Sequence, residues 1–169
     1  LADARFDVLY TYEDILDAKT GDQIPEQYPW GKVGVEQNNS SLVLRITFDR
    51  IQFMLLGDIY FTAERILLQN YGAEYLRTDV MQVAHHGGGT GGANSDTKAA
   101  YVNMKPSVIL WPVGANYFAT VKANAYNQVL LEGKNPNYAE LYVAGWQGNT
   151  VTIPLPYKLG TAILNEVLE

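Results

Sequence analysis

The order of apolar segments along the chain predicts a layered α/β domain built on a mixed β-sheet. Short apolar or alternating runs are interleaved with stretches whose apolar residues recur at helical spacing, and hairpin-like turns join some of the runs directly. The chain also has the substance for a core. Of its 169 residues, 47% are hydrophobic and 18% charged, which excludes a wholly disordered segment. No internal repeat or compositional break divides it, so residues 1–169 read as a single domain.

"ARFDVLY", residues 4–10, has strand character. Residues 17–37 carry Gly21, Pro25, Pro29, Gly31 and Gly34 and read as a long connection. In "SLVLRITF", residues 41–48, Leu42, Leu44, Ile46 and Phe48 alternate onto one face. Asp49-Arg50 turns the chain into the return strand "IQFMLL", residues 51–56, although it lacks the glycine of the tightest hairpin turns. Gly57-Asp58 ends that strand. The stretch that follows places Ala63, Ile66, Leu67 and Asn70 at helical spacing, with Gly72 as the expected stop.

"DVMQVA", residues 79–84, reads as a short buried strand running directly into His85-His86. Ser95 or Asp96 is suited to cap a helix over residues 97–104, which Pro106 ends. "SVILWPV", residues 107–113, is a further buried strand, closed by Gly114-Ala115-Asn116. Residues 124–132 predict a short helix. Residues 139–145 and 150–155 are expected to pair as a hairpin around "WQGN", and residues 160–169 to form a short helix.

Composition narrows the function classes. There is no cysteine, so disulfides, thiolate metal sites and a cysteine nucleophile are excluded. The formal net charge is −6 and no Lys/Arg block occurs, which disfavours a broad electrostatic grip on nucleic acid by this chain alone. The apolar runs are far too short to span a bilayer as helices, and the opening residues lack the pattern of a signal peptide.

Three features sit at the C-terminal ends of expected strands: Asp58, His85-His86 and Gly114-Ala115-Asn116. Loops at such ends converge on one edge of the sheet, where ligands gather in layered α/β domains. A carboxylate and imidazoles brought together there suit zinc or a similar divalent ion. Each feature also has a plainer reading. Asp58 precedes a helix and could cap it, and a histidine beside a strand is often simply hydrogen-bonded. The run "GGGTGG" has neither the lysine of a P-loop nor the spacing of a dinucleotide fingerprint.

Taken in order, "NNSSLVLRITFDRIQFMLLGDIYFTAERILL", "LRTDVMQVAHHGG" and "KPSVILWPVGAN", with the opening "RFDVLYTYED", resemble the C-terminal half of a metallo-β-lactamase-fold hydrolase. The subgroup they resemble is the hydrolase domain of competence-type DNA-uptake (ComEC-like) proteins and their free-standing relatives. The resemblance covers residues 5–128. It implies half of an αββα sandwich, a mixed sheet with helices packed mainly on one face. It further implies two divalent metal ions, zinc by preference, and hydrolysis of a phosphodiester or another ester by a metal-activated water. Asp58 would bridge the metals and His86 would ligate one. His85 would face the substrate and donate a hydrogen bond to developing charge. The two histidines could exchange roles, because one step along a strand reverses the side-chain direction. Gly87 and Asn116 would line the substrate. Nucleic acid is a substrate that the resemblance suggests and the charge does not support.

The family's His-x-His-x-Asp-His motif, a further histidine and a downstream His-Pro have no counterpart here, since His85 and His86 are the only histidines. Either the chain is a fragment whose missing N-terminal half supplies these ligands, or it is a degenerate domain. In both cases the expectation is weak zinc binding or none, and no hydrolase activity from this chain alone. A sheet face left bare by the missing half would self-associate or capture a partner. The alternative function is therefore a non-catalytic binding or assembly domain. The compartment stays open; the resemblance is compatible with a bacterial cell surface or a secreted protein.

Overall fold

The computed structural model describes residues 4–11, 41–88, 101, 103–131, 138, 140–144, 150–154 and 163–165. The alternating N-terminal segments form strands where their pattern places them: β1 (Ala4–Tyr10), β2 (Val43–Phe48) and β3 (Ile51–Leu55). β1 pairs antiparallel with β2, and β2 with β3 in the register Leu44↔Leu55 to Phe48↔Ile51. The β2–β3 turn works without glycine because Asp49 takes the left-handed conformation itself (φ 54), which aspartate tolerates better than most residues.

The helix after β3, α1 (Phe61–Asn70), ends where the Tyr71 N–H donates to the Leu67 carbonyl. Gly72 is not its left-handed stop. With φ −68 it instead begins the short α2 (Ala73–Leu76). Then come β4 (Val80–Gln82) and β5 (Val108–Trp111), each shorter than its apolar run. Residues 101, 103 and 104 are helical, as expected for the segment before Pro106; Ser95, Asp96 and the glycine-rich run from Gly89 lie outside the described residues. The 17–37 connection lies outside them too. After β5 the chain forms α3 (Ala115–Val121), whose Phe118 and Val121 are buried one turn apart, and α4 (Ala125–Leu131), close to the expected 124–132.

The C-terminal expectations are corrected. β6 (Glu140–Val143) does not form a hairpin with β7 (Thr150–Thr152). It joins the main sheet beside β5, parallel, while β7 pairs antiparallel with β8 (Ile163–Asn165), a strand where a helix was expected. Val143 of β6 is fully buried on one face while Tyr142 packs on the other, so both faces gain cover by extending the sheet.

The sheet order is β1-β2-β3-β4-β5-β6, antiparallel from β1 to β3 and parallel from β3 to β6. One face, with Val43, Met54, Met81, Ile109 and Val143, is closed by Ala63, Ile66 and Leu67 of α1 and by Phe118, Val121, Val129 and Leu130 of α3 and α4. The other face carries two largely apolar rows, Phe6-Ile46-Phe53-Val80-Val108-Glu140 and Val8-Leu44-Leu55-Gln82-Leu110-Tyr142, interrupted by Glu140 and Gln82. The chain is thus an α/β domain with a six-stranded mixed sheet and helices on one face, the arrangement of half an αββα sandwich. Among the described residues no helix is long and apolar enough to cross a membrane.

Candidate functional site

Because β3, β4 and β5 run parallel, their C-terminal ends open on the same edge of the sheet. That edge brings together the turn after β3, with Asp58, and the turn after β4, with the two histidines. Gln82, the lone polar residue in the β4 run, joins them. Its side-chain oxygen accepts from the Leu56 N–H (2.9 Å) and the Gly57 N–H (2.8 Å), and its amide donates to the Gly57 and Val83 carbonyls. The His85 N–H adds a bond to the Gly57 carbonyl (3.0 Å), and the Asp58 N–H donates to Ser41 Oγ (3.0 Å). Gly57 takes φ 57, and a Cβ there would lie 2.9 Å from that of Ser41.

Asp58 does not cap α1. The helix begins after Tyr60 with no side-chain cap bond, so the plainer reading of Asp58 is not realised. Its carboxylate instead lies 3.5 Å from His86 Nε2, both side chains being a little under half exposed.

The histidines do not continue β4. They lie in a tight turn, Ala84–Gly87, with φ/ψ of 44/45 and 54/17. Two successive non-glycine residues in the left-handed region cost of order 1–3 kcal/mol each unless their surroundings hold them. Alternation along a strand therefore does not separate the two rings; the turn does. His86 Nδ1 lies 2.6 Å from the Pro112 carbonyl, which can only accept, so this nitrogen carries the hydrogen. In the neutral ring the lone pair then falls on Nε2, toward Asp58. His85 has other partners: its Nδ1 lies 3.1 Å from the Gly88 carbonyl, and its ring centroid 4.5 Å from that of Tyr60 and 6.1 Å from that of His86.

The turn is held from below by residues that sequence reading did not single out. Trp111 Nε1 donates to the His86 carbonyl (2.9 Å). Buried Asn127 and the Tyr126 hydroxyl both donate to the Gly87 carbonyl, at 2.8 and 3.2 Å. Gly87 has φ 78, and a Cβ there would fall 2.4 Å from the Trp111 ring, which is a packing reason for glycine at this place. Beneath Ala84 lie Tyr101 and Glu64, both buried and hydrogen-bonded to each other; Tyr101 also bonds the Ala84 backbone. Burial pushes the Glu64 carboxyl up to about 8 against the opposing Tyr101 bond, and pushes the Tyr101 hydroxyl well up as well. Gln82 had a legible signal, a polar residue inside an apolar strand. Asn127, Tyr126 and Trp111 had none, because their partners are carbonyls distant in sequence.

Asn116, at the start of α3, is exposed. The Asp58–His86 pair fits the demands of a metal as far as it goes. Two donors on one tetrahedral zinc lie about 3.3 Å apart given ligand bonds of about 2.0–2.1 Å, close to the separation here. A ligating histidine commonly donates its other ring N–H to a carbonyl, as His86 does. A third donor is missing: among the described residues no group of three or more His, Asp or Glu side chains comes together.

No protein-family model matches the chain, and neither a curated protein nor a solved structure matches it.

Proposed function

We propose that this chain carries one wall of a metal-dependent hydrolase site acting on a phosphodiester or another ester. Asp58 and His86 are the metal donors, and His85 faces the substrate. The observation that carries this reading is the Asp58–His86 approach at 3.5 Å, with the opposite ring nitrogen committed to the Pro112 carbonyl. Two backbone residues in the left-handed region at that point are a second support, since such strain clusters at functional sites. Bound divalent ions, zinc in this reading, supply Lewis acidity and lower the pKa of water.

The chain's own residues have simpler tasks. Pro112 fixes the His86 ring, Gln82 ties the two turns together, and Trp111, Tyr126 and Asn127 hold the turn that aims the ring. Asp58 and His86 are two donors where a catalytic zinc takes about three and an open position. The reading therefore assigns the remaining ligands to residues outside this chain and expects no hydrolysis by the chain alone. A calorimetric zinc titration tests the donor assignment. The expected result is weak binding that Asp58→Ala and His86→Ala each reduce roughly tenfold or more, while His85→Ala leaves it nearly unchanged. Zinc binding indifferent to Asp58 and His86, or none at millimolar zinc, sinks it.

A second reading, a non-catalytic assembly domain, is favoured by one observation. Phe6 and Val8 on β1 are exposed, each at the end of a row that is otherwise at least partly covered. A metal-free chain that forms a stable complex would favour this reading over the first.

A further inference from the structure

The β1 edge is where the molecule's pattern is least complete. β1 ends the sheet and has one strand neighbour among the described residues, β2. Alternate N–H and C=O groups of an edge strand point away from its neighbour and can accept another strand. Natural edges are commonly blunted by proline, by inward-pointing charge or by a bulge. Here the irregularity falls between Val8 and Tyr10, which leaves Ala4–Val8 as the regular stretch. Phe6 is 64% and Val8 40% exposed on the side where their neighbours on β2 and β3, Ile46, Phe53, Leu44 and Leu55, are apolar. Arg5 and Asp7 occupy the opposite face and form an ion pair within the strand (2.7 Å), with the Arg5 side chain 68% exposed.

We propose that two copies of this chain associate through their β1 strands, antiparallel and two-fold symmetric about Phe6. The charges select this arrangement. Centred on Phe6, the pairing sets Arg5 opposite the partner's Asp7, Asp7 opposite the partner's Arg5, and Ala4 opposite the partner's Val8. Centring on Arg5 or Asp7 would set like charges directly opposite, which destabilises a cross-strand pair. A parallel arrangement in register would also place like beside like. A slip of one residue would put Phe6 on the partner's charged face. In the Phe6-centred register the Phe6 row continues across the two-fold axis and Val8 meets the partner's Ala4, so both copies share one sheet. Because the contact is isologous, it closes at two and leaves no β1 edge for further growth. This proposal is independent of the metal reading.

Light scattering and sedimentation of the chain over a wide concentration range test it. The wild type is expected to be a dimer that dissociates on dilution. Arg5→Asp and Asp7→Arg, made singly, are each expected to raise the dissociation constant roughly tenfold or more, because each sets like charges opposite one another. The double variant Arg5→Asp/Asp7→Arg is expected to return to near the wild-type value. Phe6→Lys, at a site exposed enough to leave the fold intact, is expected to be monomeric. A monomeric wild type, an open-ended oligomer, a dimer unaffected by the single reversals or by Phe6→Lys, or failure of the double variant to restore the dimer would each overturn the proposal.

Discussion

Along the row Phe6, Ile46, Phe53, Val80 and Val108, the same kind of apolar side chain meets two environments. At the parallel end Val80 and Val108 are fully buried, while at the antiparallel end Phe6 is largely exposed. The difference follows from what each end has packed over it. Ile51, Val80 and Val108 share a cluster with Leu110, Tyr142 and Ile153. Nothing comparable among the described residues closes over β1. On the opposite face the apolar residues Leu9, Met54, Met81, Ile109 and Val143 all belong to one core with the helices. Stability should therefore reside in the helix-covered face and the parallel strands, and association at the β1 edge.

Three measurements probe that contrast. The largest effect is expected for Trp111→Ala. Trp111 is 1% exposed, meets Phe118 edge to face and donates to the His86 carbonyl. Its loss should cost about 3–5 kcal/mol in denaturant unfolding; a cost below about 1 kcal/mol would show that the helix-covered face is not the seat of stability.

Next is the pH dependence set by Glu64 under the same face. Its folded-state pKa is raised to about 8 from 4.5, mainly by burial. The folded state therefore keeps a proton that the unfolded state releases. Glu64's contribution is fully present below pH 4.5, declines through the window up to about 8, and is flat above it. The slope can reach roughly 1.4 kcal/mol per pH unit. Glu64→Gln should flatten it and gain on the order of 2 kcal/mol near pH 8, read by thermal unfolding across that range. An unchanged profile would mean the carboxyl ionises in the folded state much as it does in the unfolded one.

The smallest effect is expected at the open end of the row. In the Arg5→Asp background, diluted until it is monomeric, Phe6→Ser should shift unfolding by less than about 0.5 kcal/mol. A larger loss would mean that Phe6 is packed within its own chain and that the contrast between the two ends is false.

Much of this arrangement was legible from local pattern. The alternation of residues 41–48 and the apolar return after Asp49-Arg50 specify β2 and β3 without reference to anything distant. The run into His85-His86 likewise marks the end of β4. Gly57-Asp58 at a strand end pointed to the turn that carries Asp58. Less legible were the helix over Ala115–Val121 and the support beneath the histidine turn. Asn127, Tyr126 and Trp111 act on carbonyls far away in sequence, and a hydrogen-bond partner leaves no periodic trace.

By itself the sequence determined the extended segments through β5, the helices α1 and α4 and which residues stand at strand ends, because period and turn chemistry act over a few residues. Only the tertiary structure decided who pairs with whom. The "WQGN" segment has the local look of a hairpin turn, yet β6 lies beside β5, where Val143 and Tyr142 gain cover on both faces, and β7 takes β8 instead. Tertiary structure also decided the direction of the histidines. Gly87 against Trp111, together with the carbonyl bonds from Trp111, Asn127 and Tyr126, holds a left-handed turn that neither histidine favours alone. That turn sets His86, rather than His85, beside Asp58.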